Sequence, residues 1–139
     1  MNNVRHNPLA IAVATLLYFL LGGVWFTVLQ KAWLIGVGRT IEELQATGIS
    51  PVITYGLAIA TTLVLAIFLS WVIQATGAQT AARGITIAIW TWFGVVFTTW
   101  ATEYAFEARS LKIFFINTGY CLTGMIIMGA ILGAWKKKA

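Results

Sequence analysis

Long uncharged stretches of the chain alternate with short ones that gather nearly all of its Lys, Arg and Glu. A helix that crosses about 30 Å of hydrocarbon at a rise of about 1.5 Å needs roughly 20 apolar residues. Four stretches reach that length: about Leu9–Leu29, Val52–Gln74, Gly84–Thr102 and Ile113–Trp135. Asn7 and Pro8 supply a cap and a first-turn proline for the first, Ser50 and Pro51 for the second, and Ser110 a cap for the fourth. The second closes near Gly77, the third is bracketed by Arg83 and Glu103 with helix able to continue to Glu107, and Lys136 stops the fourth. The first stretch is too long for the apolar part of a cleaved leader, and no small-residue cleavage site precedes Gln30 and Lys31, so it is expected to be retained.

The one sizeable loop separates the first two stretches. In it Thr40 and Glu43 have capping-box spacing, which predicts a short surface helix from Ile41 to about Ala46. The remaining loops are short enough to join antiparallel neighbours. The predicted fold is an all-α integral membrane protein: a single domain over residues 1–139, a four-transmembrane-helix up-and-down bundle with a short surface helix in the first loop.

Composition strengthens this reading. With 60% hydrophobic residues, 9% charged residues and a mean hydropathy of +0.86, the chain has too few charges to solvate a globule of 15.2 kDa. A soluble enzyme core, a coiled coil and disorder are excluded. The net charge of +5 would raise nucleic acid as a partner for a soluble domain, but Lys136, Lys137 and Lys138 follow directly on an apolar stretch, where a basic cluster suits an anionic leaflet. The expected partner is the lipid bilayer, not nucleic acid. Arg5, Arg83 and the three terminal lysines fall on one side, and Lys31, Arg39, Arg109 and Lys112 on the other, which predicts both termini in the cytoplasm of a bacterial inner membrane. Cys121 and His6 are the only residues of their kinds and Asp is absent, so no disulfide, metal cage or cofactor is expected.

Chemistry-bearing residues collect on helix faces. On a wheel of about 100° per residue, Thr15, Tyr18, Gly22, Trp25 and Leu29 share one side of the first span, either a packing face or a ligand-lining one. In the third span Trp92, Thr99, Trp100, Glu103 and Glu107 fall in one sector. Indoles above carboxylates suit a cation or amphipathic amine; the plainer reading is an interfacial aromatic belt with acids paired to Arg109 or Lys112. The fourth span carries Asn117, Tyr120, Cys121, Gly124, Met128 and Trp135 on one side and Gly119, Gly129 and Gly133 on the other. The glycine side is expected to meet a second subunit in a homo-oligomer, most simply a dimer. Trp100, Glu103, Glu107, Arg109, Asn117 and Tyr120 form the candidate ligand or structural cluster, with Trp25 and Trp92 as candidate lining, and Glu107 and Arg109 are expected to clasp each other.

Several of these residues also carry a resemblance. Gly22-Gly23-Val24-Trp25-Phe26, Lys31-Ala32-Trp33 and Glu42-Glu43-Leu44, followed by Trp92-Phe93-Gly94, Phe106-Glu107-Ala108-Arg109, Asn117-Thr118-Gly119-Tyr120, Gly129 and Trp135, resemble a group of small bacterial four-span proteins, domain-of-unknown-function family seventeen-sixty-one. The likeness runs over nearly the whole chain and implies a four-helix membrane domain without a biochemical activity. Phe26 stands where the family is expected to carry Tyr.

The function expected from these features is that of a non-enzymatic bundle that associates with itself or with a partner. The alternative is a small transporter, channel or binding protein for a cationic or amphipathic small molecule on the aromatic and acidic face of the third span. An enzyme would need a nucleophile with its base, and Cys121 has no His near it in sequence. Four-span multidrug exporters use a carboxylate in their first helix, and the first span here has none.

Overall fold

Several helices begin where the sequence supplies acceptors for their first N–H groups, although Ser50, expected to cap the second span, makes no side-chain cap bond. Asn7 Oδ1 accepts from the N–H groups of Leu9 and Ala10, and Ser110 Oγ from that of Lys112. Thr40 and Glu43 form the reciprocal capping box, with Glu43 N–H to Thr40 Oγ1 at 3.2 Å and Thr40 N–H to Glu43 Oε2 at 2.8 Å. Hydrogen bonds from its own backbone N–H and from Thr40 hold the Glu42 carboxyl below the usual carboxylate range.

The computed structural model describes residues 4–77 and 79–137, and the regular structure among them is all helical. In order they form α1 (Pro8–Val28), α2 (Gln30–Val37), α3 (Ile41–Ala46), α4 (Pro51–Ala75), α5 (Ala81–Thr91), a π-helical stretch (Trp92–Phe97), α6 (Thr98–Phe106) and α7 (Leu111–Ala134). From Ala81 to Phe106 the third rod is continuous, and with α1, α4 and α7 it makes four helices long and apolar enough to cross a membrane. The expected surface helix is α3. Lys138, counted in the expected orientation, lies outside the described residues.

One element was not expected. α2 turns the start of the first loop into helix because Trp33 and Val37 have apolar partners in Tyr104, Ile113 and Phe114. Gly36 rests against Ile113, and Gly38, in the left-handed region with φ 72°, ends the helix.

α7 is the common partner of the other long helices. Asn7, at the head of α1, reaches the carbonyls of Trp135 and Lys136 at the foot of α7, while Trp25 near the other end of α1 donates to Ile116 O. These two helices are therefore antiparallel. The core between them and α4 and α5 is small and tight: Ala10, Ala14, Tyr18, Ala66, Leu69, Ile73, Ala88, Met125, Met128 and Leu132.

The glycine side of α7 corrects an expectation. Gly129 lies backbone to backbone on Gly84 of α5, so that a methyl group on either would run into the other's carbonyl, and one on Gly133 would meet the carbonyl of Thr80. Gly119 faces Trp25 of α1 instead, where an added Cβ would lie 3.4 Å from the indole. The surface assigned to a second subunit is thus spent within the chain. In an apolar medium helices gain mainly by close dispersion contact, and the neighbour joined through the short turn after α6 takes that surface first.

α4 is covered unevenly. From Thr62 onward it contributes Ala66, Leu69, Ser70 and Ile73 to the core, whereas before that point it is almost wholly exposed.

Candidate functional site

Two aromatic clusters flank the first half of α7. The first depends on the π-helical stretch. Gly84, Ala88, Trp92, Val96, Trp100 and Tyr104 follow one another at intervals of four, and in a regular helix each step drifts by about 40°, some 200° in all. The wide turns from Trp92 to Phe97 take up an extra residue and rotate the stripe back by about 100°. Gly84 and Ala88 therefore meet Gly129, while Trp100 and Tyr104 still pack on the cluster at the start of α7. Trp92 Nε1 donates to Thr118 O at 2.9 Å. On the regular wheel Trp92 shared a sector with Thr99, Trp100, Glu103 and Glu107. In the structure Trp92 and Trp100 are half-buried, whereas Thr99, Glu103 and Glu107 are exposed, and Glu103 joins no ion pair among the described residues. The expected stack of indoles above two carboxylates is not assembled.

Tyr104 is the centre of this cluster, and it was absent from the expected site. It is buried, lies parallel to Trp100 at 6.1 Å, meets Phe114 edge-on at 5.4 Å and accepts a hydrogen bond from Asn117 Nδ2 at 2.9 Å. Asn117 Oδ1 is buried without a partner; flipping the amide moves the unpaired group from oxygen to nitrogen and does not remove it.

The turn after α6 completes the cluster. Ala108 N–H bonds to Ala105 O and Arg109 N–H to Tyr104 O, with Ala108 at φ 51°. This is the Schellman pattern with alanine where glycine is preferred. The apolar contact that usually accompanies it is here the Arg109 guanidinium over the Tyr104 ring, 4.3 Å from the centroid. Arg109 does pair with Glu107, but at 3.4 Å and with both side chains about half exposed, so Tyr104 is its more consequential partner.

The second cluster lies on the α1 side. Tyr120 donates to Tyr18 O at 3.2 Å, and its ring meets those of Tyr18, Phe26 and Trp25 at 5.0, 5.2 and 6.4 Å. Trp25 Nε1 donates to Ile116 O at 3.0 Å. A buried indole N–H or phenol needs an acceptor, and in an apolar surround the second lone pair of a helix carbonyl is the one at hand. Trp25 and Trp92 thus tie α1 and the third rod to the same turn of α7.

Beside Tyr120 the exposed half of α4 diverges and leaves a cleft of about 560 Å³ between α1, α4 and α7. Gly22 and Gly23 form part of its wall, and Phe19, Phe26, Tyr55 and Tyr120 present rings to it. Its remaining polar residues, Thr27, Gln30 and Thr54, belong to the end of α1, the start of α2 and the start of α4, so they gather at one mouth. Thr27 and Thr54 hydroxyls donate to Gly23 O and Ser50 O, while Gln30 and Tyr55 side chains make no hydrogen bond within the described residues. Among the described residues no charged side chain lines the cleft. Such a space accepts an apolar chain along the rings and a hydrogen-bonding head at the mouth.

The expected site residues thus separate. Trp100, Arg109 and Asn117 meet around Tyr104, Glu107 touches only the rim of that group, Glu103 stands apart, and Tyr120 joins Trp25 in the other cluster. The cleft itself was not located; its one sequence signal was the Gly22-Gly23 pair among aromatic residues, on the face of the first span that could be either a packing face or a ligand-lining one. Among the described residues no three His, Cys, Asp or Glu side chains come together.

Searches of curated proteins and of solved structures returned no match to the chain. Residues 9–133, which contain both clusters and the cleft, match the family model described as Protein of unknown function (DUF1761), and the chain belongs to that family.

Proposed function

We propose that the protein is an integral protein of the bacterial inner membrane, an up-and-down four-span bundle with both termini in the cytoplasm, which acts by binding and not by catalysis. Its ligand on this reading is an uncharged amphiphile that enters the cleft between α1, α4 and α7 from the bilayer. The observation that carries the proposal is the cleft's chemistry: rings along its length, free hydrogen-bonding groups at Gln30 and Tyr55, and no charge. The described residues that line the cleft and its mouth offer a charged head no counterion, which disfavours the cationic ligand of the alternative reading.

Gly23 provides the test, because a Cβ there meets nothing within 4 Å and yet the residue lines the cleft. Monooleoylglycerol added to purified protein should raise the melting temperature of the native chain, and Gly23→Leu should keep the unliganded melting temperature while losing that rise. An equal rise in both proteins would remove the cleft from consideration, and a larger rise with dodecyltrimethylammonium would reverse the choice of ligand charge. Reporter fusions at both termini test the orientation; a C-terminal fusion active in the periplasm overturns it.

Self-association is a second reading, supported by the first half of α4, where Val52, Ile53, Tyr55 and Leu57 are 62–81% exposed. A homodimer would form there and not on the glycine side of α7. Gly56 and Gly94 both have open surroundings, so Gly56→Leu should lower the dimer fraction in native mass spectrometry and Gly94→Leu should not. Equal distributions in both variants would sink this interface.

A further inference from the structure

The charges of the molecule are divided unequally between its ends. At the end where α2, α3 and the turn after α6 lie, Lys31, Arg39, Arg109 and Lys112 are matched one for one by Glu42, Glu43, Glu103 and Glu107. The whole net charge of +5 therefore belongs to the opposite end, to Arg5, Arg83, Lys136 and Lys137, with Lys138 next in sequence. No carboxylate side chain accompanies them, and the four described side chains are exposed.

Hydrogen bonds link the described residues of this end. Arg5 N–H donates to Gln74 Oε1 at 2.9 Å, Gln79 Nε2 to Leu132 O at 2.7 Å, and Asn7 Nδ2 contacts the carbonyls of Trp135 and Lys136 at 3.4 and 3.5 Å. The Arg83 guanidinium caps the last turn of α4 through Thr76 O. The chain segments bearing Arg5, Arg83 and Lys136 are thus tied to one another. Carbonyls at the ends of α4 and α7, which would otherwise repel an anion, are engaged by donors. The indoles of Trp71 and Trp135, 52% and 40% exposed, stand toward the same end, where an indole prefers the level of lipid headgroups.

We infer that this end is a docking surface for anionic phospholipid headgroups, independent of the cleft and its ligand. Cations gathered at one end of the molecule without a carboxylate side chain attract a phosphate-bearing head, and the flanking indoles direct that preference to a lipid and not to free phosphate.

The test is native mass spectrometry of the full chain released from detergent with phosphatidylglycerol or phosphatidylcholine. The native protein should retain phosphatidylglycerol in preference, and inorganic phosphate should not compete. The double variant Lys136→Gln, Lys137→Gln should weaken that retention roughly 30-fold. Lys31→Gln, Lys112→Gln removes the same charge from the balanced end and should leave it unchanged. Equal loss in the two double variants, equal retention of both lipids, or displacement by inorganic phosphate would each overturn the proposal.

Discussion

Between α5 and α7, Gly84 and Gly129 let two backbones touch, whereas between α1 and α4, Gly23 borders an open cleft in which a Cβ on it would meet nothing within 4 Å. The same residue type thus serves opposite ends on the two sides of one helix. On the seam its missing side chain admits another backbone, and on the cleft it leaves room. The difference lies in the neighbour: α5 runs along α7 with a stripe of Gly84 and Ala88, while α4 presents core residues only from Thr62 onward.

Alanine at Gly129 and at Gly23 sets the two sides directly against each other. Gly129→Ala forces the Gly84 carbonyl away and should cost about 3 kcal/mol or more, since backbone yields less readily than a side chain. Gly23→Ala should be neutral or stabilising by up to about 1 kcal/mol through helix propensity. Similar melting temperatures for the two variants would erase the distinction. A finer comparison uses the two indoles. Trp92→Phe and Trp25→Phe each remove one donor to an α7 carbonyl and should each cost about 1 kcal/mol in a reversible unfolding titration. A loss confined to Trp92→Phe would show that the cleft side does not rely on its indole.

Smaller effects come from the turn after α6. Ala108→Gly removes the left-handed strain of a side chain at φ 51° and should stabilise by about 1 kcal/mol. A drop in melting temperature would mean that the turn is not held as a Schellman cap. Glu107→Gln should change stability by less than about 0.5 kcal/mol, because its exposed pair with Arg109 is weak and the guanidinium keeps its place on Tyr104. A shift of several degrees would restore Glu107 as the clasp.

Elements were more legible in the sequence than partners were. Asn7, Thr40 and Ser110 announced their helix starts because capping is a local matter between a side chain and N–H groups two or three residues on. α2 escaped notice because the partners of Trp33 and Val37 lie in α6 and α7, far along the chain. The π-helical turns carried no local mark, and the regular wheel that ignores them grouped Trp92 with Glu103 and Glu107. For Gly129 and Gly133 the spacing announced a close approach without saying to what. Tyr104 looked like one ring among many, since a hub is defined by contacts and not by residue type.

α7 also bears on the order of synthesis. The ribosome delivers α1, α4 and the third rod before the helix they share, so on the membrane reading each must enter the bilayer without its principal partner. The first two are equipped for that wait, with mean hydropathies of 2.2 and 2.3 over their most apolar windows, against 1.6 for α7. α7 carries Asn117, Thr118, Tyr120 and Thr123 and arrives when Tyr104, Trp92 and the carbonyl of Tyr18 are already present to receive it. The third rod, at 1.4, is the least apolar of the four, and α7, which follows it after a short turn, is the partner that ends its wait.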